Sequence, residues 1–117
     1  MRLDGQVREV TSLFRSEKER MFELMDFHFV GMVFDRFVED LAEKEWVLLL
    51  RDVEEGTIQG FTTAMFIDRE VQGVPIRAVY SGDTIINKEY WGEKTMGVLW
   101  LKFVLDAHRR CPDRRLF

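Results

Sequence analysis

The residues Ser81-Gly82-Asp83-Thr84-Ile85-Ile86 put two hydroxyls, a glycine and a carboxylate at the end of a strand-like run that starts at Val79-Tyr80. Asn87-Lys88-Glu89-Tyr90-Trp91-Gly92-Glu93-Lys94-Thr95-Met96 follows as a short loop that enters an amphipathic helix. A glycine inside a strand suggests a bulge, which exposes backbone groups. A helix start adds N–H groups with no intrahelical acceptor. A strand that opens and then feeds a helix can therefore hold an extended, phosphate-bearing ligand, and this stretch is read as a coenzyme site. Close packing is the alternative reading of Gly82, and backbone capping in a turn is the alternative for Asp83.

Other chemistries find little support in the chain. His28 and His108 have no third ligand at metal-site spacing, so no metal is expected. There is no Gly-x-Ser-x-Gly, no phosphate-binding Walker loop and no Cys-x-x-Cys. The single cysteine, Cys111, excludes an internal disulfide and reads as a bystander beside Pro112, which fits a cytoplasmic protein.

The elements that position the site follow from periodicity. Residues 7–27 read as one helix, with Val10, Leu13, Phe14, Met21, Leu24 and Met25 mostly on one face, interrupted by Glu17 and Lys18. A break at Phe27–Gly31 precedes a second helix, striped by Val30, Val33, Phe34, Phe37, Val38 and Leu41. The period changes at Trp46-Val47-Leu48-Leu49-Leu50, an apolar run of strand length. A turn at Val53-Glu54-Glu55-Gly56 leads to a strand from Thr57 to Asp68. Gln72-Gly73 turns the chain again into a strand from Ile76 to Ile86, with Pro75 tolerated at its start. Short connections make these three strands an antiparallel meander. Met96, Leu99, Trp100, Phe103, Val104 and Ala107 then mark a helix over roughly residues 93–110. Helices before and after an antiparallel sheet give an α+β domain.

Length and composition set outer bounds. The 117 residues make one domain, with 46% hydrophobic and 32% charged residues. Ten Phe and three Trp imply a bulky aromatic core. A net charge of −4 with scattered basic residues argues against nucleic acid as a partner. The terminal cluster His108-Arg109-Arg110 suits a helix C-terminus instead. No apolar run reaches the ~18 residues needed to cross a bilayer, and Met1–Gly5 is not a signal peptide, so no membrane partner is expected.

The element order and the stretch from Tyr80 to Met96 resemble the GNAT superfamily of acyl-CoA-dependent N-acyltransferases. Glu39–Leu50, Gln59–Thr63 and Ser81–Thr84 look like a poorly characterised bacterial branch of it. The resemblance implies a GNAT-like fold: two N-terminal helices, a three-stranded meander and the central helix. It also implies a bulge at Gly82, from which the strand splays to leave its backbone for the pantetheine arm. Thr84, Ile85 and Ile86 would bind that arm through their backbone. Gly92, Glu93, Lys94, Thr95 and Met96 would face the pyrophosphate of CoA or acyl-CoA, acetyl-CoA being the expected donor. An acyl group on a carrier protein is the alternative donor. An unknown amine would attack the thioester directly, with Asp83 as the base at the bulge, tuned by apolar surroundings.

Two departures from that pattern stand out. The family's loop reads Arg or Gln, two residues, Gly, one residue, then Gly or Ala. Aligning Trp91 with its first position puts Lys94 and Met96 at the small positions; aligning Glu89 there fits Gly92 but leaves Lys94 at the last. Lys94 could supply a cation to an anion there, since a lysine at a helix start is otherwise disfavoured by the dipole. The chain also stops at Arg114-Arg115-Leu116-Phe117, where the next strand would begin, so the C-terminal strands are expected to be absent and the domain incomplete. A fragment, a wall supplied by a second chain, and loss of catalysis all remain open. An unpaired strand edge favours association, so a homo-oligomer, at least a dimer, is expected. A non-catalytic binding or assembly module on the same framework is the second functional reading.

Overall fold

The computed structural model describes residues 2–28, 31–110 and 115–116. Its elements are β1 (Leu3–Glu9), a 3-10 turn (Val10–Ser12), α1 (Arg15–His28), α2 (Phe34–Ala42), β2 (Trp46–Asp52), β3 (Ile58–Val71), β4 (Val74–Ile86), a second 3-10 turn (Lys88–Tyr90), α3 (Thr95–Arg110) and β5 (Arg115–Leu116). The strands form one sheet in the order β1-β2-β3-β4-β5. The first four are antiparallel, and β5 runs parallel to β4, with Arg115 opposite Ile76 and Leu116 opposite Arg77.

The α+β meander expected from the sequence is present, and it has four antiparallel strands rather than three. The N-terminal helix is the correction. Residues 7–9 finish β1, and helix α1 begins only at Arg15. Strand β1 pairs along its whole length with β2, from Leu3 opposite Asp52 to Glu9 opposite Trp46. An edge strand needs only one ladder, so Leu-Asp-Gly-Gln-Val-Arg-Glu forms it without apolar alternation; ladder hydrogen bonds override local preference. Gly5 lets α3 approach, because a Cβ there would meet Leu99 Cδ2 at 2.9 Å. Helix α2 likewise starts at Phe34, with Val33 extended before it, and Val30 lies outside the described residues. The helix expected over 93–110 begins at Thr95. The short β5 lies where the sequence reading put the beginning of the next strand. Cys111 and Pro112 lie outside the described residues.

The sheet divides two cores. On one face Val10, Leu13, Met21, Leu24, Met25, Phe37 and Leu41 pack on Val47, Leu49, Phe61 and Ile85. On the other, Leu3, Leu50 and Tyr90 meet Ile86, Met96 and Leu99 under the start of α3. Farther along α3, Phe103 stacks on Phe66, with ring centroids 5.4 Å apart. Alternation along each strand assigns the faces: Val47 and Leu49 to α1 and α2, Leu50 to α3. No helix among the described residues is long and apolar enough to cross a membrane.

Glu17 interrupts the apolar stripe of α1 because it serves another purpose. It is 8% exposed and lies between Arg8 of β1 and Arg51 of β2. Its carboxylate accepts from Arg8 Nη1 at 2.8 Å, from Arg51 Nη2, and from the backbone N–H of Phe14 at 2.8 Å. Burial works against the charged form, but the hydrogen bond from Arg8, that from Phe14 and the two guanidinium charges together hold its pKa below the ordinary value. The triad ties α1 to the first two strands.

Glu17→Gln leaves two guanidinium groups without their anion. It is expected to cost about 3 kcal/mol at neutral pH, read by urea unfolding. A depressed carboxyl pKa contributes stability above its unfolded value and loses it as pH falls through the folded value. The gap between wild type and variant therefore narrows on acidification below pH 4.5. A gap that stays constant down to pH 3 contradicts this assignment.

Candidate functional site

The ladder between β3 and β4 changes register at one place. Thr62 lies opposite Thr84 and Ala64 opposite Ser81, so Gly82 and Asp83 together face the single residue Thr63. This is a β-bulge, at the glycine where a strand interruption was expected. Its flanks are stapled from β3. Thr62 Oγ1 lies 2.7 Å from Thr84 Oγ1 and 3.2 Å from Ser81 Oγ. One buried hydroxyl thus holds both ends of the bulge on the α3 face.

On the opposite face the bulge is tightly filled. A Cβ on Gly82 would collide with Thr63 Oγ1 and come within 2.8 Å of Lys44 Cε. Gly82 is therefore required by packing as well as by the bulge. Thr63 is 3% exposed, and its hydroxyl has no hydrogen-bond partner among the described residues.

Asp83 is exposed, not held among apolar groups as the sequence reading assumed. It lies at the bulge between Ser81 and Thr84, whose hydroxyls are both tied to Thr62. Thr84 is exposed although its hydroxyl is engaged by Thr62, and Ile85 is buried in the α1–α2 core. The carbonyl of Ile86 accepts the indole N–H of Trp91 at 2.8 Å, so this backbone group is already occupied. Among the described residues, the outer edge of β4 pairs only at Ile76 and Arg77, which leaves the edge from residue 78 to 86 without a strand neighbour.

The connection from β4 to α3 is tied back to β3. Asn87 donates its backbone N–H to Gln59 O at 2.7 Å and its amide to Gln59 Oε1 at 2.9 Å. Tyr90 is buried beneath it; burial and the charge of Asp52 push its phenol pKa up. Gly92 and Lys94 are exposed, whereas Glu93, Thr95 and Met96 are half-buried. Val98 donates to the carbonyl of Lys94 at 3.1 Å, so Lys94 stands at the cap position and the first-turn N–H groups after it have no intrahelical acceptor. No acidic residue lies in that first turn. The Thr95 hydroxyl donates instead to Glu93 Oε1 at 3.2 Å.

Gly97 was missed by the sequence reading. It sits exposed in the first turn of α3, and a Cβ there would meet nothing within 4 Å. A glycine in a helix costs about 1 kcal/mol relative to alanine, and no neighbour explains it. Two clefts flank α3. One of about 380 Å³ lies beside its start and is lined by Asp4, Glu93, Lys94 and Thr95. The other, about 830 Å³, lies under its second half against Trp46, Phe66 and Phe103, away from the bulge.

No family model matches the sequence, and no curated protein does. Solved structures do match the fold. A glucosamine-6-phosphate N-acetyltransferase from Arabidopsis thaliana aligns with a TM-score of 0.64 at 17% identity, covering 97% of this chain and 80% of its own. A ribosomal-protein-alanine N-acetyltransferase from Brucella melitensis biovar Abortus 2308 gives 0.63 at 15%, covering 98% and 77%. A protein of unknown function from Enterococcus faecalis V583, described as a probable N-acyltransferase, gives 0.67 at 16% and covers 92% of this chain, which spans only 27% of that longer one.

Gly82→Ala is expected to destabilise the protein by about 1–3 kcal/mol, because the new methyl must displace Thr63 Oγ1. Removing that hydroxyl in the double variant Gly82→Ala/Thr63→Ala should recover part of the loss. A double-mutant cycle by thermal unfolding measures it, and additive losses would mean that the two residues do not press on each other. The chain has the fold of the GNAT N-acetyltransferases.

Proposed function

We propose that the chain binds acyl-CoA and transfers the acyl group to an amine. The observation that carries this reading is the path from the bulged β4 to the start of α3, whose first turn holds no acidic residue, in a fold shared with N-acetyltransferases. The residues present fit such a donor. Gly92 and Gly97 leave open space beside the loop and the first turn of α3. The N–H groups following Lys94 are free of intrahelical acceptors and suit phosphate oxygens. Lys94 adds a cation where the helix dipole alone would disfavour one.

Acyl-CoA, when bound, supplies the activated thioester acyl group. The chain's own part is to hold and to deprotonate. The backbone of Thr84 and Ile85 at the unpaired β4 edge offers donors and acceptors to an extended amide-bearing arm. Ile86 contributes less, because Trp91 already occupies its carbonyl. The loop and helix start, from Gly92 through Glu93 and Lys94 to Thr95 and Met96, receive the phosphates. The Asp83 carboxylate, turned outward at the bulge, takes the proton from the attacking amine. The exposed row Val98, Leu101 and Leu105 on α3 supports association with a second copy.

In one register of the loop Lys94 and Met96 stand where the resemblance calls for small residues, which favours a non-catalytic binding module as the second reading. Two variants separate the readings. Saturating acetyl-CoA should stabilise the wild type by about 2.7 kcal/mol at a hundred times its Kd, read by thermal unfolding. Lys94→Glu should stabilise the free protein by about 0.3–1 kcal/mol, since an acid suits a helix start, while weakening coenzyme binding at least ~10-fold. Asp83→Asn should leave binding intact and lower amine-dependent thiol release by roughly 10²–10⁴-fold. Coenzyme binding with no thiol release from any amine would establish the second reading, and no stabilisation at all would refute both.

A further inference from the structure

Strand β1 stands first in the sheet and pairs on one side only, with β2. Val10 donates its N–H to the carbonyl of Glu45, and Val53 donates its N–H to the carbonyl of Arg2. Backbone direction alternates along an antiparallel ladder, so the even-numbered residues of β1 turn toward β2 and the odd-numbered ones turn away. The N–H and C=O groups of Leu3, Gly5 and Val7 thus form a row without a partner among the described residues. The carbonyl of Glu9, at the end of that row, accepts the Ser12 hydroxyl at 2.7 Å. Natural edges are commonly blunted by proline, a bulge or lysine. Strand β1 has none of these over its seven residues, and its register against β2 is unbroken.

Charge indicates what covers this edge. Arg8 and Arg51 share the single carboxylate of Glu17, which leaves that cluster one positive charge in excess. Asp4 lies on the same face of the strand as Arg8, is exposed, and has no described ion pair. The strand is its own complement. Turned antiparallel onto a second copy with the two-fold at Gln6, it overlaps along all seven residues and brings Asp4 opposite Arg8 of that copy. The same turn sets Gly5 opposite Val7, so that their outward N–H and C=O groups meet. A two-fold at Gly5 or Val7 would instead oppose Gln6 to Asp4 or Arg8, and one at Asp4 or Arg8 would oppose like charges.

Apolar surface beside the edge points the same way. Leu99 rests against Gly5, which places α3 over β1. Clefts of about 380 Å³ and 830 Å³ flank this contact. Val98 lines the first with Leu3 and Gly5, and Leu105 lines the second with Val7. Val98 is 51% exposed, Leu105 45% and Val7 38%. A two-fold at Gln6 stands perpendicular to the sheet, so both α3 helices come to lie on one face, beside the seam, with these side chains toward it.

We infer that the outer edge of β1 is an interface for a second copy of this chain, paired antiparallel about Gln6 into one sheet that runs through both copies. This rests on the association proposed above and names its edge and register; it is independent of acyl transfer.

The test is sedimentation of the intact chain over a concentration series, with three variants. The wild type is expected to be a reversible dimer. Val7→Pro keeps the ladder to β2, because the N–H it removes points outward. It should weaken dimerisation at least ~100-fold with an unchanged far-ultraviolet spectrum. Asp4→Lys tests the same edge without altering the backbone and should weaken dimerisation at least ~10-fold. Gln6→Cys in a Cys111→Ser background reads the register. Residues opposite each other in a non-hydrogen-bonded antiparallel pair have Cα atoms about 4.5 Å apart, within disulfide reach, so mild oxidation should trap a covalent dimer. A chain that stays monomeric up to about 1 mM overturns the inference together with the association, and leaves the edge to a strand of another chain. A dimer that neither Val7→Pro nor Asp4→Lys weakens, and that residue 6 does not trap, keeps the association and overturns this interface. Acetyl-CoA stabilisation of the same samples checks the acyl-transfer reading separately.

Discussion

One residue of β3 faces two of β4, and the other features of the site descend from that mismatch. Thr63 opposite Gly82 and Asp83 forces the chain outward between Ser81 and Thr84. The excursion survives because both flanks are tied to the single hydroxyl of Thr62. It also survives because residue 82 has no side chain to collide with Thr63 and Lys44. A bulge leaves its extra residue without a ladder partner, and the local twist rises. The carboxylate of Asp83 therefore faces solvent, while Ile85, two residues on, is back in the core.

The surrounding architecture supports this irregularity with regular structure on three sides. Strand β2 is almost wholly buried, and β1 seals its outer edge along its full length. The Arg8–Glu17–Arg51 triad locks α1 against the same two strands. Across the sheet, Phe66 and Phe103 anchor the second half of α3, and Leu99 fits over Gly5 near its start. The helix start is thus fixed relative to the bulge by two separate contacts. A site that must span a strand edge and a helix terminus needs that rigidity, because neither element can reposition the other's backbone groups.

Charge is distributed unevenly around this frame. Most charged side chains with a described ion pair find it on the same helix or across one hairpin. Lys44, Asp83 and Lys94 have no described ion pair, and all three border the bulge or the helix start. An unpaired surface charge is unremarkable singly.

The sequence alone determined the elements whose periodicity is strong: the stripe of α2, the apolar run of β2, the turn glycines Gly56 and Gly73 with positive φ, and the i, i+3, i+4 pattern of α3. It also pointed to a bulge at Gly82, with close packing as the alternative, and the structure has both there. It did not disclose β1, whose residues lack alternation and are held by backbone bonds to β2 rather than by their side chains. Nor did it disclose that Glu17 is buried, that Asp83 is exposed, or that Lys44 and Thr63 meet at Gly82. Those facts depend on residues 9 to 38 positions apart in the chain being brought together. Local patterning encodes which element forms; the register between elements decides which side chains share a site, and only the folded sheet sets that register.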